Sequence, residues 1–171
     1  MRTWITSDLH FGHKNIMKFC PQTRARFNDD VAYMNNAMVL EWNAKVQPED
    51  TVYILGDVAF MPASNAAQIL RQLNGTKILI EGNHDHKNLR NPAFRSCFEA
   101  VHIYYEIYHN NNKVVMFHYP ILEWNKMHYG SVHLFGHVHG KVSGLEPYRA
   151  RDAGFDATDA RWTASLSPTA S

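Results

Sequence analysis

Cysteine is nearly missing from this chain. Cys20 and Cys97 are the only two in 171 residues, and their spacing fits neither a disulfide framework nor a thiolate metal cluster. Reduced thiols in a cytoplasmic protein are expected. Excess charge is also missing: 17 basic against 16 acidic residues leave +1, with no lysine or arginine tract of the kind that tracks a phosphate backbone. A nucleic-acid partner is compatible with this balance but is not indicated by it. No apolar stretch has the length needed to cross a bilayer, so no membrane partner is expected. The first apolar run begins almost at Met1, where a secretory leader would need room. Internal repeats and linkers are absent too. One domain over residues 1–164 is expected, with a loose Ser-, Ala- and Pro-bearing tail over 165–171.

What the chain does have is a series of short ligand-rich motifs, each behind an apolar run. Asp8-Leu9-His10 follows Trp4-Ile5-Thr6, Gly56-Asp57 follows Val52-Tyr53-Ile54-Leu55, and Gly82-Asn83-His84-Asp85 follows Ile78-Leu79-Ile80. His118 follows Val114-Val115-Met116-Phe117, and Gly136-His137-Val138-His139 follows Val132-His133-Leu134-Phe135. Runs of this length suit buried strands. Side by side, such strands would gather the motifs on one rim, at their C-terminal ends. If the motifs are extended, Asp8 and His10 share one side with Leu9 turned away, and His137 and His139 repeat this around Val138. The glycines at 56, 82 and 136 suit sharp turns and close backbone approach.

Taken singly, each motif has an ordinary reading: Asp after a strand is commonly a turn or cap, and a lone His118 a core histidine. Their joint order favours a site. Asp8, His10, Asp57, Asn83, His118, His137 and His139 make a nitrogen and oxygen donor set. That set suits manganese, iron, zinc, cobalt or nickel better than calcium. These are too many ligands for one tetrahedral ion and enough for two sharing Asp57 as a bridge. Two divalent cations against so few carboxylates leave a positive centre that attracts phosphate esters.

The pattern Asp-x-His, Gly-Asp, Gly-Asn-His-Asp, His, Gly-His-x-His, spanning residues 8–139, resembles that of the calcineurin-like metallophosphoesterase superfamily. The resemblance implies one ion on Asp8, His10, Asp57 and His139 and a second on Asp57, Asn83, His118 and His137. His84 would stand beside the scissile phosphate with Asp85 orienting its ring. Hydrolysis would proceed by attack of a hydroxide bridging the two ions. The catalytic set is then His84, Asp85 and Asp57, and substrate contacts fall to Asn83, His84 and His13. The cofactors expected are two divalent transition-metal ions, manganese foremost.

Between the strands, Asn28 reads as the cap of a helix running to Val46, with Val31, Met34, Met38, Trp42 and Val46 on its inner face. Ser64 to Asn74 reads as a second helix, capped by Ser64 and stopped at Gly75, with Ile69, Leu70 and Leu73 inward. Tyr104–His109 and Lys113–Phe117 flank Asn110-Asn111-Asn112 as a hairpin. Residue pattern gives an α/β fold with a mixed sheet; the resemblance extends this to two mixed sheets packed as a sandwich flanked by helices.

The substrate class expected is a phosphodiester or small nucleotide. A phosphomonoester is the alternative, disfavoured because no arginine cluster offers to clamp a dianion. A non-catalytic interaction module with structural ions and a nuclease acting on nucleic-acid ends are the readings from other classes. The oligomeric state is not encoded in any pattern we recognise.

Overall fold

The computed structural model describes residues 1–142, 144 and 149–157, together with the backbone of 164–165. The chain runs β1 (Thr3–Thr6), α1 (Ile16–Phe19), α2 (Pro21–Arg24), a 3₁₀ turn at Ala25–Phe27, α3 (Val31–Lys45), β2 (Thr51–Ile54), α4 (Ala63–Leu70) and β3 (Thr76–Ile80). It continues through α5 (His86–Leu89), α6 (Pro92–Arg95), β4 (Ala100–His102), β5 (Tyr104–His109), β6 (Asn112–Phe117), β7 (Val132–Phe135), β8 (Ala150–Asp152) and β9 (Ala164–Ser165).

The strands form two sheets rather than one. The first has the order β4-β3-β2-β1-β9, with β1 to β4 parallel and β9 antiparallel to β1. The second has the order β5-β6-β7-β8, in which β5 and β6 form an antiparallel hairpin and β6, β7 and β8 run parallel. Alternation along each strand explains the layers. Trp4, Val52, Ile54 and Leu79 pack on the helical side with Met34, Met38, Trp42 and Leu70. Their neighbours Ile5, Tyr53, Leu55 and Ile80 turn the other way, onto Val114, Met116 and Leu134 of the second sheet. Val115 and Phe135 then face outward beneath Trp124. Strands covered on both faces must be apolar throughout, which is why the runs preceding the motifs are continuous. The mixed sandwich flanked by helices is the fold expected.

Local expectations need four amendments. The long helix is capped by Asp30, whose Oδ1 accepts the amides of Ala32 and Tyr33 at 2.9 and 3.0 Å, while Asn28 closes the preceding 3₁₀ turn in the left-handed region at φ 55°. The next helix starts behind Pro62 and ends at Leu70, before Asn74, and Ser64 caps nothing: its hydroxyl lies 3.3 Å from the Asn65 side chain. In the hairpin, Asn112 belongs to β6, so the turn is Asn110-Asn111 alone, both with positive φ as a two-residue turn requires. Of the tail expected over 165–171, Ser165 pairs with Trp4 in β9 and residues 166–171 lie outside the described residues.

Asp50 ties the start of β1 to the turn before β2. The residue is 1% exposed, and its carboxylate accepts the Trp4 indole at 2.9 Å, the Gln47 amide at 3.0 Å and the Arg2 amide at 2.6 Å. The indole and the Gln47 amide hold its carboxyl at about 2 against the usual 3.8. A depressed carboxyl contributes stability that is full above the unfolded value and fades as pH falls through the folded one. The melting temperature should therefore drop as pH is lowered from 3.8 towards about 2, and Asp50→Asn should flatten that drop while lowering stability at neutral pH. An unchanged acid limb in the variant would remove Asp50 from the account.

Candidate metal centre

The five motifs converge at the C-terminal ends of β1, β2, β3, β6 and β7, stitched by backbone bonds. The Asp8 amide donates to Gly56 O at 3.0 Å, the His10 amide to Asp57 O at 3.0 Å, and the Gly136 amide to His118 O at 2.9 Å. Their backbone is not extended as the two-residue spacing implied. Asp8, His10, Asp57, His137 and His139 all sit in the left-handed region, with φ between 50° and 73°. Positive φ is uncommon for any residue with a Cβ, though aspartate and histidine tolerate it better than most, and five such residues at one site persist only where the surroundings enforce it. Tight turns, rather than alternation, turn the paired ligands to one place. Leu9 is still buried away from them, as expected.

Glycine is required where these turns touch. A Cβ on Gly82 would lie 2.5 Å from Asp57 Oδ1, and one on Gly56 2.5 Å from His118 Nδ1. At Gly136 it would collide with the Ser7 hydroxyl and stand 2.5 Å from Asp8 Oδ2.

Two groups of side chains face inward: Asp8, His10 and His139 in one, and Asp57, His118 and His137 in the other. In the first, Asp8 Oδ1 is 3.8 Å from both His10 Nε2 and His139 Nε2. Asp8 Oδ1 and His10 Nε2 are buried and lack a hydrogen-bond partner. Two orphaned buried atoms aimed at one point are costly unless a ligand lies there. In the second group, His118 Nδ1 donates to Leu55 O at 2.6 Å, which turns its Nε2 lone pair to Asn83 Oδ1 at 2.9 Å and Asp57 Oδ1 at 3.7 Å. His137 Nδ1 reaches the same Asn83 oxygen at 3.1 Å. Acceptors converging in this way are reconciled by a cation. Asp57 stands between the groups, its Oδ2 3.9 Å from His10 Nε2 and its Oδ1 facing His118. The residues present therefore fit divalent ions, with nitrogen and oxygen donors in both groups.

The partners behind the ligands fix their tautomers. The His139 Nδ1 donates to Asp156 Oδ2 at 2.8 Å, leaving Nε2 for Asp8. Asp156 in turn accepts Arg24 Nε at 2.8 Å and the Thr23 hydroxyl at 2.5 Å. The fully buried Arg24 also donates to Asp8 O at 2.8 Å and Leu9 O at 3.0 Å. Burial opposes a charged His139, but Asp156, Cys20 and Asp8 push it up to about 10, so a proton competes with a cation for this imidazole. Burial likewise opposes ionised Asp8, yet His10, His139 and His118 hold its carboxyl below the usual range.

Asp85 and His13 take up contacts of their own. Asp85 does not reach the His84 ring. Its buried carboxylate accepts the amides of Asp57, Val58 and Gly82, each at 2.9 Å, which locks the second motif to the third. Burial pushes this carboxyl up to about 6 despite those amides. His13, expected at the substrate, lies with its Nδ1 3.0 Å from His10 Nδ1 and its ring stacked on Phe60 at 4.1 Å. Burial, then the neighbouring His10 and Arg24, bring His13 down to about 4, so near neutrality it is an uncharged acceptor for His10. Asn83, His84 and His137 are exposed, and form the open side of the centre.

Asp156, Arg24, Phe60 and Cys20 carry no motif. Asp156 follows β8, whose Ala-Arg-Asp sequence lacks an apolar run, and Arg24 is recognisable only once it is seen to be buried. Phe60, two residues beyond Val58, packs against His10 at 4.8 Å, His13 at 4.1 Å and His84 at 4.4 Å. Cys20, set aside on spacing, comes within 4.8 Å of ligand atoms of His139 and Asp156.

Known proteins resemble this chain to differing degrees. An uncharacterized protein of Methanocaldococcus jannaschii is 37% identical over 86 residues, which is 49% of this chain and 47% of that protein, so the match spans about half of either. The gene 66 protein of Mycobacterium phage L5 is 26% identical over 170 residues, covering 82% of this chain and 78% of the phage protein. The crystal structure of a protein of unknown function from Aquifex aeolicus superposes with a TM-score of 0.71 at 25% identity, covering 96% of this chain and 95% of that one. The calcineurin-like phosphoesterase profile matches residues 1–141, the span that holds every motif described above, and the chain belongs to that family.

Proposed function

We propose that this chain is a metal-dependent phosphodiesterase or small-nucleotide hydrolase working with two divalent ions, manganese foremost. The observation that carries the reading is the asymmetry of the centre. Asp8, His10, Asp57 and His118 are buried, whereas Asn83, His84 and His137 face solvent. A structural site is closed by its ligands, and a catalytic one keeps an open side.

Asp8, His10, Asp57 and His139 would hold one ion, and Asp57, Asn83, His118 and His137 the other. Such ions supply Lewis acidity toward the phosphoryl oxygens and toward water. The chain's own residues do the rest. His84 is held at the mouth by its amide on Asp57 Oδ1 at 3.1 Å and by Phe60 against its ring. From there its side chain can stabilise charge on the phosphoryl group or pass a proton to the leaving oxygen. Asp85 keeps the turns of Asp57 and Gly82 together, and Asp156 keeps His139 turned. A monoester would need a cationic clamp for its terminal dianion. Among the described residues, Arg24 bonds to the Asp8-Leu9 segment but is held there by Asp156 and two carbonyls and cannot serve.

The test is hydrolysis of an aryl phosphodiester and its matching monoester by chelator-treated protein resupplied with manganese, nickel, zinc or magnesium. Metal-restored turnover favouring the diester is expected; monoester preference would overturn the substrate class. His84→Ala should lower turnover about 100-fold while metal content and melting temperature hold. Loss of metal or of stability along with turnover would instead mark His84 as structural and the ions as a scaffold.

A further inference from the structure

Beside His84 opens a cavity of about 830 Å³, bounded by Phe60, Met61 and Pro62 after β2 and by Lys87, Arg90 and Pro92 around α5 and α6. Sites that accept small organic ligands span roughly 300–1,000 Å³. Two kinds of wall meet in it. Phe60, Met61 and the prolines are apolar. Lys87 is exposed and forms no hydrogen bond or ion pair among the described residues, and the Arg90 guanidinium is braced by His86 Nε2 at 3.0 Å, while Nδ1 of the same ring lies 3.3 Å from Glu81 Oε1. Across the floor the Asn88 side chain makes long hydrogen bonds to Ala59 O and Met61 O at 3.5 and 3.4 Å. Phe60 forms the partition, with its ring against the histidines of the centre and its place in the cavity lining.

We propose that this cavity is the leaving-group subsite and takes a nucleotide bearing a second phosphate, its base on the Phe60, Met61 and Pro62 wall and that phosphate on Lys87 and Arg90. The proposal rests on the phosphodiester reading above, in which His84 stands on the side where the leaving group departs. An aryl group alone would fill the apolar wall and leave both cations unmatched. An inorganic anion would meet the cations and leave the apolar wall wet. A nucleotide meets both, since a base has an apolar face and arginine and lysine both bind phosphate through charge-assisted hydrogen bonds.

The experiment measures calorimetric binding of adenosine 3′,5′-bisphosphate, adenosine and pyrophosphate to the metal-loaded protein, to Lys87→Met and to Lys87→Met/Arg90→Met. The bisphosphate should bind wild type at least about tenfold more tightly than either single-feature probe, and the double variant should lose about tenfold of that affinity. Lys87 is exposed, so its single replacement keeps the fold and should show part of the same loss; melting temperature checks both variants. Equal binding by wild type and variants would overturn the proposal, because attachment at the metal centre would survive these substitutions. Pyrophosphate binding as tightly as the bisphosphate, or no bisphosphate binding by wild type, would overturn it too. Aryl-diester turnover by wild type is read separately: its absence overturns the proposed function and leaves the binding result to stand by itself.

Discussion

Asp57→Asn should reduce metal-restored turnover by about 1,000-fold or more, because the one substitution disables both halves of the centre. Asp57 is 2% exposed, and its two oxygens face His10 and His118, one on each side, while Oδ1 also accepts the His84 amide. The variant isolates charge from backbone. Asp57 has φ 54°, in the left-handed region that asparagine tolerates about as well as aspartate, so the turn should survive. What changes is that an anion shared by the two groups becomes a neutral amide, whose NH₂ repels a cation. Metal per chain, measured alongside kcat with excess manganese, should fall from about two. A variant with full turnover and full metal content would show that Asp57 does not join the two groups.

Asp156→Ala should cost about 3–5 kcal/mol of stability, the range for stranding a buried charge. Its side chain is 2% exposed and, among the described residues, is the sole carboxylate on Arg24, which is 0% exposed. The two backbone carbonyls that Arg24 also meets satisfy donors but do not neutralise it. The same change frees the His139 Nδ1 and should weaken metal binding about 10–100-fold, as loss of a ligand's hydrogen-bond partner does. Asp156→Asn, which keeps an acceptor near both groups, should show a smaller loss on each scale. Urea denaturation read beside a zinc or manganese titration checks both effects. A stability change under about 1 kcal/mol would mean that Arg24 relaxes to another partner.

The motif-bearing strands and the ligand motifs were legible in the sequence for one reason: each of those strands is largely buried and ends in a turn whose residue types are rare. Ile5, Tyr53 and Leu55 could be placed in the core without knowing that they face a second sheet. The division into two sheets was not legible from pattern, because periodicity carries no record of which strands pair. Helix boundaries shifted for local reasons. Asp30 outcompetes Asn28 as a cap because Asn28 is already committed to a left-handed turn, and α4 unwinds after Leu70, well before the glycine that was expected to stop it. Within the centre, ligand candidates were readable from type and order. Their supports were not, since Asp156 and Arg24 act through burial and long-range contact and Asp85 through backbone amides, none of which leaves a local signature.

Each group of candidate ligands draws on both sheets. Asp8 and His10 follow β1 of the first sheet and His139 follows β7 of the second; Asp57 and Asn83 come from the first and His118 and His137 from the second. An ion held by either group is therefore a cross-link between chain segments far apart in sequence, closing long loops in the way a disulfide does in secreted domains. The chain holds only two cysteines, both as free thiols. A ligand present at about 1,000 times its dissociation constant adds about 4 kcal/mol to the folded state, a large share of the stability of a domain this size. The ions that make the centre reactive would thus also hold the sandwich shut, and starving the protein of metal would loosen the fold at the same rim where it loses its chemistry.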